Sequence, residues 1–461
     1  MFDGFEMGLF PVVARQALSD LVGSADEKLI GEWNALINMS FLIGAAAGGV
    51  VFGWLGDRIG RIRAMSLSIL TYAIFSGLAG FAGEAWHILV IRFIAALGMG
   101  GEWALGVALV MEVWQGQSRA FLAGVIGAAA NAGYLLVALL SLGLGSIQAT
   151  LTDLGLSDQW VRWRLLMVCG ALPALLTLFI RLFVPESESW LRERNRGATS
   201  AWATRDLLSV LLGVALCFGL MAIWKLVPIF AVQMSATVVA LVLVGLCYLF
   251  PIMGYLSRSN EPQRVRQHIL GRMIVGAMIS GVPLLATWGA VQWGPLWADK
   301  LAQESGAKFW PQYTQMVSSI GAIIGCVLGA AFADLVGRRL AYITLCVVSL
   351  GSVLLFYQGN TTLGVTFLLT AGLMGATSAA FYGWLPLYLP ELFPTRVRAT
   401  GQGFGFNFGR ILAAVGVLQV PLLMGPEKDY ARAGSLLAFI YLAGVLVIWL
   451  GPETRGKALP E

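Results

Sequence analysis

Apolar runs of about twenty residues, broken by short charged or turn-rich stretches, recur from one end of the chain to the other. A helix rises about 1.5 Å per residue, so each run is long enough to cross roughly 30 Å of hydrocarbon. The runs fall near residues 1–18, 33–55, 64–84, 87–113, 121–146, 163–184, 207–224, 236–256, 269–295, 313–333, 340–358, 362–389, 399–424 and 433–451. This pattern predicts an all-α polytopic membrane protein with fourteen spans, leaving no soluble domain of useful size between them. A polar stretch, "PESESWLRERNRGATSAWATRD", follows the sixth run.

Composition agrees, since 58% of the 461 residues are hydrophobic, only 12% are charged and 56 are glycine. The formal charge of +5 is informative only by position. Arginines gather on alternate loops: Arg58, Arg61 and Arg63; Arg119; Arg192, Arg194 and Arg196; Arg258, Arg264 and Arg266; Arg338 and Arg339; Arg396 and Arg398. The positive-inside bias puts these loops and both termini in the cytoplasm of a plasma (inner) membrane, and fourteen spans keep the alternation intact. Basic residues confined to short loops make no face for nucleic acid. The five cysteines lie inside apolar runs without ligand spacing, so neither a disulfide framework nor a metal site is expected. With only His87 and His268, no catalytic constellation is visible, and no enzyme activity or cofactor is expected. Residues 1–18 lack a basic n-region, so no signal peptide is expected there.

The chain repeats itself. "GDRIGRIR" returns as "ADLVGRRL", carrying Asp57 to Asp334 and Arg61 to Arg338. "MEVWQGQSR" returns as "PELFPTRVR", carrying Glu112 to Glu391 and Arg119 to Arg398, and "VPES" returns as "GPET". A duplicated six-span unit follows, with a first bundle over 1–186 and a second over 267–461. Residues 187–266 then form a linker with two extra spans, 207–224 and 236–256. Lying outside the repeat, that pair is expected at the periphery, away from any central cavity.

"GWLGDRIGRIR", Gly53 to Arg63, resembles the loop signature of the major facilitator superfamily. "RFIAALGMGGEWALG", "PELFPTRVRATGQGFGFNFGR", "VPESESWL" and "GPETRGKALPE" are together similar to the metabolite:proton symporters, nearest the sialate and lactate branch and then the aromatic-acid branch. The glutamine-rich helix of sugar porters is missing, because the matching stretch reads "LLATWGAVQWGPLW", and the fifth run lacks the antiporter signature. The resemblance implies two six-helix bundles around a mid-membrane solute site, alternating access, and proton-coupled movement of a small organic anion, a carboxylate or an acidic sugar, by a monomer in a lipid bilayer. Transport or export of a neutral solute is the alternative within this class. A membrane sensor on a transporter scaffold is a remoter one. The loop residues Gly53, Asp57, Arg58, Gly60, Arg61, Glu112 and Arg119, with their mates Asp334, Gly337, Arg338, Glu391 and Arg398, are then a cytoplasmic gate, in which Asp57 accepts bonds from an arginine or a neighbouring helix end.

Asp3 and Glu6 lie one turn apart on a helical face that would be costly in lipid. They resemble the first-helix carboxylates whose protonation couples solute to proton; the competing reading is an acidic helix cap. Residues 2–18 reach only about 26 Å, short of a full crossing. Arg92 and Glu102 stand about 15 Å apart along one helix and cannot pair, so Glu6 is a candidate partner for Arg92 and a cavity water for Glu102. A snorkelling arginine and a structural hydrogen bond are the alternatives. Glu102 joins Asp3 and Glu6 as a proton-coupling candidate. Asn407 and Arg410 put an amide and a guanidinium on one face, suited to a carboxylate, unless Arg410 instead pairs with an acid of the first bundle. Arg92, Asn131, Tyr134 and Tyr382 are further solute-site candidates, with Trp384 as a cavity wall. The many glycines are read as close helix contacts.

Overall fold

The computed structural model describes residues 1–24, 27–113, 119–146, 148–155, 163–227, 229–259, 261–306, 309–425 and 429–460. These residues form helices and turns, with no strand among them. In chain order the α-helices are α1 (Phe2–Val22), α2 (Glu27–Ile59), α3 (Arg61–Leu78), α4 (Ala85–Val113), α5 (Arg119–Ser146), α6 (Gln148–Asp153), α7 (Leu165–Val168), α8 (Ala174–Phe183) and α9 (Glu188–Asn195). Then come α10 (Leu208–Leu226), α11 (Phe230–Arg258), α12 (Gln263–Gly289), α13 (Gly294–Ser305), α14 (Trp310–Val336), α15 (Arg338–Gly359), α16 (Val365–Tyr388), α17 (Arg398–Met424), α18 (Tyr430–Ala438) and α19 (Ile440–Val447). Among the described residues, eleven helical segments are long and apolar enough to cross a membrane.

Several boundaries differ from the hydropathy reading, three of them with a clear local cause. The first helix continues through Ser19 and Asp20 to Val22, where Gly23 takes the left-handed conformation (φ 65°) that closes a helix end. Its 21 residues span about 31 Å, the thickness of the hydrocarbon layer, although its charged residues keep it out of the eleven apolar segments. The apolar run 163–184 is interrupted: a 3₁₀ turn at Cys169–Ala171 and Pro173 separate α7 from α8. Finally, α12 begins at Gln263, four residues before the expected domain boundary, because Pro262 suits the position ahead of a helix start.

Two long helix contacts join the first half of the chain to the second: α2 packs on α17, and α5 on α14 and α16. Glycine makes the tight crossings inside each half possible. A Cβ on Gly48 would lie 1.9 Å from the Leu97 carbonyl oxygen, and one on Gly325 would lie 1.9 Å from that of Ala376. The α10–α11 hairpin sits outside the α2–α17 contact and touches both halves. Phe218 packs on Phe93 of α4 with ring centroids 5.5 Å apart, and Gly245 faces Phe408 of α17.

Candidate functional site

The arginine-rich loops converge at one end of the molecule. Arg61, fully buried, donates to Asp57 (2.6 Å), bonds both carboxylate oxygens of Glu112 (3.0 and 3.4 Å), and reaches the carbonyls of Gly56 and Thr395 (2.8 and 2.9 Å). Five acceptor oxygens on four residues offset the cost of burying this guanidinium. The repeat mate is built alike, with Arg338 on Glu391 at 2.9 and 3.1 Å and on Asp334 at 3.4 Å. Each half also borrows a distant carboxylate to close a helix start. Glu186 accepts the backbone N–H groups of Arg61 and Ile62, and Glu453 those of Arg338 and Arg339, all at 3.0–3.1 Å. The glycine before each helix has positive φ, 109° at Gly60 and 98° at Gly337, which brings the loop onto its carboxylate. Partial burial pushes the Glu453 carboxyl upward, but the N–H groups of Arg338, Arg339, Arg455 and Thr454 outweigh it and hold the group below the ordinary glutamate value.

Across the two halves the symmetry breaks. Asp57 accepts from the backbone N–H of Thr400 (2.8 Å), its hydroxyl (2.6 Å) and the N–H of Ala399 (3.4 Å), so it caps the N-terminus of α17 from the other half of the protein. Arg398 of α17 returns the contact to Glu112 at 3.0 Å. Its other nitrogen donates to the Pro460 carbonyl (2.6 Å), and Arg119 donates to that of Lys457 (3.0 Å), so the C-terminal segment straps the same join. Gly53 belongs here too, since its missing Cβ leaves room for the Ala399 carbonyl. Arg338, Glu391, Gly60 and Gly337 keep their contacts within their own halves, and two further expected gate members do not cross either. Asp334 keeps a 53% exposed side chain and meets only Arg338, because α17's N-terminus lies on the Asp57 side and no equivalent helix start among the described residues meets Asp334. Arg58 turns to Trp54 (4.9 Å) and the Thr204 hydroxyl in the polar linker (2.6 Å).

Midway along the bundle lies the charged cluster. Arg92 reaches Glu6 at 3.3 Å and sits between the Phe10 and Phe41 rings, 4.9 and 4.6 Å away, so it lies in the core of its half and does not snorkel to a head group. Asp3 accepts the Gly4 N–H (2.7 Å) and the Met1 amine (3.3 Å). It is also the charged neighbour of both Glu102 and Arg410. From the other half, Arg410 is 3% exposed, donates to Asn407 (2.6 Å) and lies 5.2 Å from the Phe406 ring. Asn407 in turn donates to the Gly100 carbonyl at 3.1 Å. Among the described residues no carboxylate lies within ion-pair distance of Arg410, which spends one of its five donors on protein.

A cavity opens beside this cluster, where Asn131 and Tyr134 of α5 meet Tyr382 of α16. Tyr382 donates to Thr287 (3.0 Å), Gln292 donates to Tyr134 (3.4 Å), and Asn131 donates to Gly127 (3.0 Å). The cavity measures about 60 Å³. Its walls include Gln315, Ser318 and Ser319 of α14, none of which stood out in the sequence, where single amides and hydroxyls on apolar helices are common. Trp384 is not a wall: it is fully buried and donates its indole N–H to the Arg338 carbonyl. Among the described residues of 207–256, none lines the cavity.

The sequence matches the profile of the family described as sugar (and other) transporter over residues 18–208 and 297–461. It is 28% identical over 431 residues to the probable 4-methylmuconolactone transporter of Cupriavidus pinatubonensis, covering 91% of this chain and 81% of that one. It is 25% identical over 409 residues to the cis,cis-muconate transport protein of Acinetobacter baylyi, covering 88% and 81%. Among solved structures, the proton:xylose symporter XylE of E. coli, bound to 6-bromo-6-deoxy-D-glucose, superposes with a TM-score of 0.70 at 17% identity, covering 99% and 94%.

Proposed function

We propose, on the premise that this chain belongs to the sugar (and other) transporter family of the major facilitator superfamily, that it carries a small organic anion across the membrane by proton-coupled symport. It is a multi-pass membrane transporter of small metabolites and not an enzyme. One observation carries the choice of an anion: Arg410 is buried between the halves with Asp3 only as a charged neighbour and, among the described residues, no carboxylate within ion-pair distance. A buried guanidinium is costly unless a counter-ion meets it, and a solute carboxylate against its planar fork, beside Asn407, supplies one. Asn131, Tyr134 and Tyr382 then hold the uncharged part of the solute. The muconate and muconolactone relatives support an organic acid as cargo.

Asp3, Glu6 and Glu102 are the proton-coupling groups in this reading. The Glu6–Arg92 pair holds together while the acid is charged and relaxes when it is protonated, which ties proton occupancy to the packing of α1 on α4. The proton:xylose symporter among the structural neighbours supports the coupling. The Asp57–Thr400 and Arg398–Glu112 links act as the cytoplasmic gate, closed here, with Arg61, Arg338, Glu391, Gly53, Gly60, Gly337 and Arg119 shaping the loops around it. In this reading the chain has fourteen spans with α10–α11 as an inserted pair; the family profile passes over residues 209–296, a stretch that holds α12 as well as that pair. Both termini then lie in the cytoplasm of a bacterial inner membrane. A single chain supplies every residue named, so the reading needs no second copy.

Arg410→Lys tests the anion site. Lysine keeps the charge and loses the two-pronged contact, so affinity for muconate, read by thermal shift, falls by roughly tenfold or more, the worth of one good charge-assisted bond. Unchanged affinity with slowed transport would assign Arg410 to the gate instead.

A further inference from the structure

Among the described residues, six side-chain polar atoms of the first half are buried without a protein hydrogen-bond partner, and five of them, all but Trp54 Nε1 of α2, come from α1, α3 and α4: Glu6 Oε2, Arg92 Nε, Tyr72 OH, Ser76 Oγ and Glu102 Oε2. They are not scattered. Tyr72 and Ser76, 0% and 1% exposed, stand one turn apart on one face of α3. The Tyr72 hydroxyl faces Glu102 and the Ser76 hydroxyl faces Glu6, each without closing a direct bond. The titratable and charged groups around them are Asp3, Glu6 and the Met1 amine on α1, Arg92 and Glu102 on α4, and Tyr134 on α5. Buried polar groups in native proteins are nearly always satisfied, by protein or by ordered water, and a pocket with several convergent polar atoms is where a water is held.

We propose that Tyr72 and Ser76 hold an internal chain of water between Glu102 and Glu6, along which the coupling proton passes. The proposal rests on the proton-coupled reading above. In a transfer from Glu102 to Glu6 the Glu102 acid loses its proton to the nearest water. Each water and hydroxyl along the line passes one proton on and accepts one, and the Glu6 carboxylate ends protonated. No hydroxyl is changed overall. Glu102, half-buried where Glu6 is 1% exposed, thereby serves as the entry for the proton, while Glu6 carries the charge change to Arg92. Tyr72 and Ser76 act through the water, as positioning residues.

Tyr72→Phe removes one oxygen from a buried ring and is the direct test, with Tyr72→Phe/Ser76→Ala as its extension. In proteoliposomes, gradient-driven net uptake is compared with counterflow exchange, which needs no net proton movement. The ratio of net uptake to exchange is expected to fall on the order of tenfold in Tyr72→Phe, below the usual loss for a proton-transfer group because neighbouring water partly replaces the hydroxyl. Tm supplies a second readout. A hydroxyl bonded to water is stabilising, so Tyr72→Phe lowers Tm, whereas removing a dry, unsatisfied hydroxyl raises it. An unchanged ratio in Tyr72→Phe, with net uptake abolished in Glu6→Gln, would overturn the water chain and leave the proton reading standing. A rise in Tm would overturn the chain as well. Persistence of gradient-driven uptake in Glu6→Gln would overturn the proton reading and the chain with it.

Discussion

Replacing Asp57 by Asn should loosen the join between the two halves. The asparagine keeps the shape, loses the charge, and turns one of its two oxygens into a donor. Asp57 Oδ1 now faces the Arg61 guanidinium and Oδ2 the N–H and hydroxyl of Thr400, so whichever way the amide lies, one side becomes donor against donor. Arg61 retains Glu112 and the Thr395 carbonyl, which limits the damage within its own half. The bonds to Thr400 span the halves, exist only while this end is closed, and are charge-assisted. Losing their charged character costs about 2 kcal/mol, which at about 1.4 kcal/mol per tenfold moves the balance toward the open arrangement by roughly 30-fold. Asp334→Asn, at the repeat-mate position, is the control. Its side chain is 53% exposed and its ion pair stays within one half, so the expected change is about 0.5 kcal/mol or less, roughly twofold. Spin labels at Arg63 and Arg264, exposed at this end on opposite halves, report the opening as a distance distribution. A population at longer distance in Asp57→Asn and not in Asp334→Asn is expected. Equal responses of the two variants would refute the asymmetric gate.

Glu453→Gln should lower Tm at neutral pH, because the carboxylate closes the start of α15 through the N–H groups of Arg338 and Arg339 and holds its own loop through those of Thr454 and Arg455. Its folded pKa is depressed, so the stabilisation is complete above the ordinary glutamate value of about 4.3 and is lost as pH falls through the lower folded value. The Tm gap between wild type and variant should therefore close on acidification, and a gap that widens would contradict the assignment. Gly48→Ala should lower Tm by an amount corresponding to about 1–3 kcal/mol, since its methyl would meet the Leu97 carbonyl oxygen at 1.9 Å and force α2 from α4. Thermal unfolding in detergent checks it, and an unchanged Tm would mean the crossing has slack.

Much of this architecture is legible in the linear chain because membrane helices announce themselves by length and because the duplication leaves matched landmarks. Glu112 and Glu391, matched by offset alone, take equivalent guanidinium partners in three dimensions, Arg61 and Arg338. Arg92 reaches Glu6, the partner considered for it. What the chain hides is which mate faces across the join. Asp57 and Asp334 sit in near-identical motifs and differ only in the helix start that tertiary packing brings to one of them. The break before α8 was also hidden, since an apolar run reads as continuous whether or not Pro173 interrupts it. Tyr72 and Ser76 went unnoticed for a related reason: hydroxyls on an apolar helix carry no charge pattern, although their four-residue spacing was available to be read.

The central claim is proton-coupled carriage of an organic anion, and uptake by the purified protein in proteoliposomes tests it most directly. Labelled muconate, sialic acid, benzoate and xylose are offered at equal concentration, with and without an inward proton gradient. The account predicts accumulation of at least one of the acids above its equilibrium level, driven by the gradient and collapsed by a protonophore, with xylose left behind. Gradient-independent movement of the acids, or accumulation of xylose in their place, would contradict it.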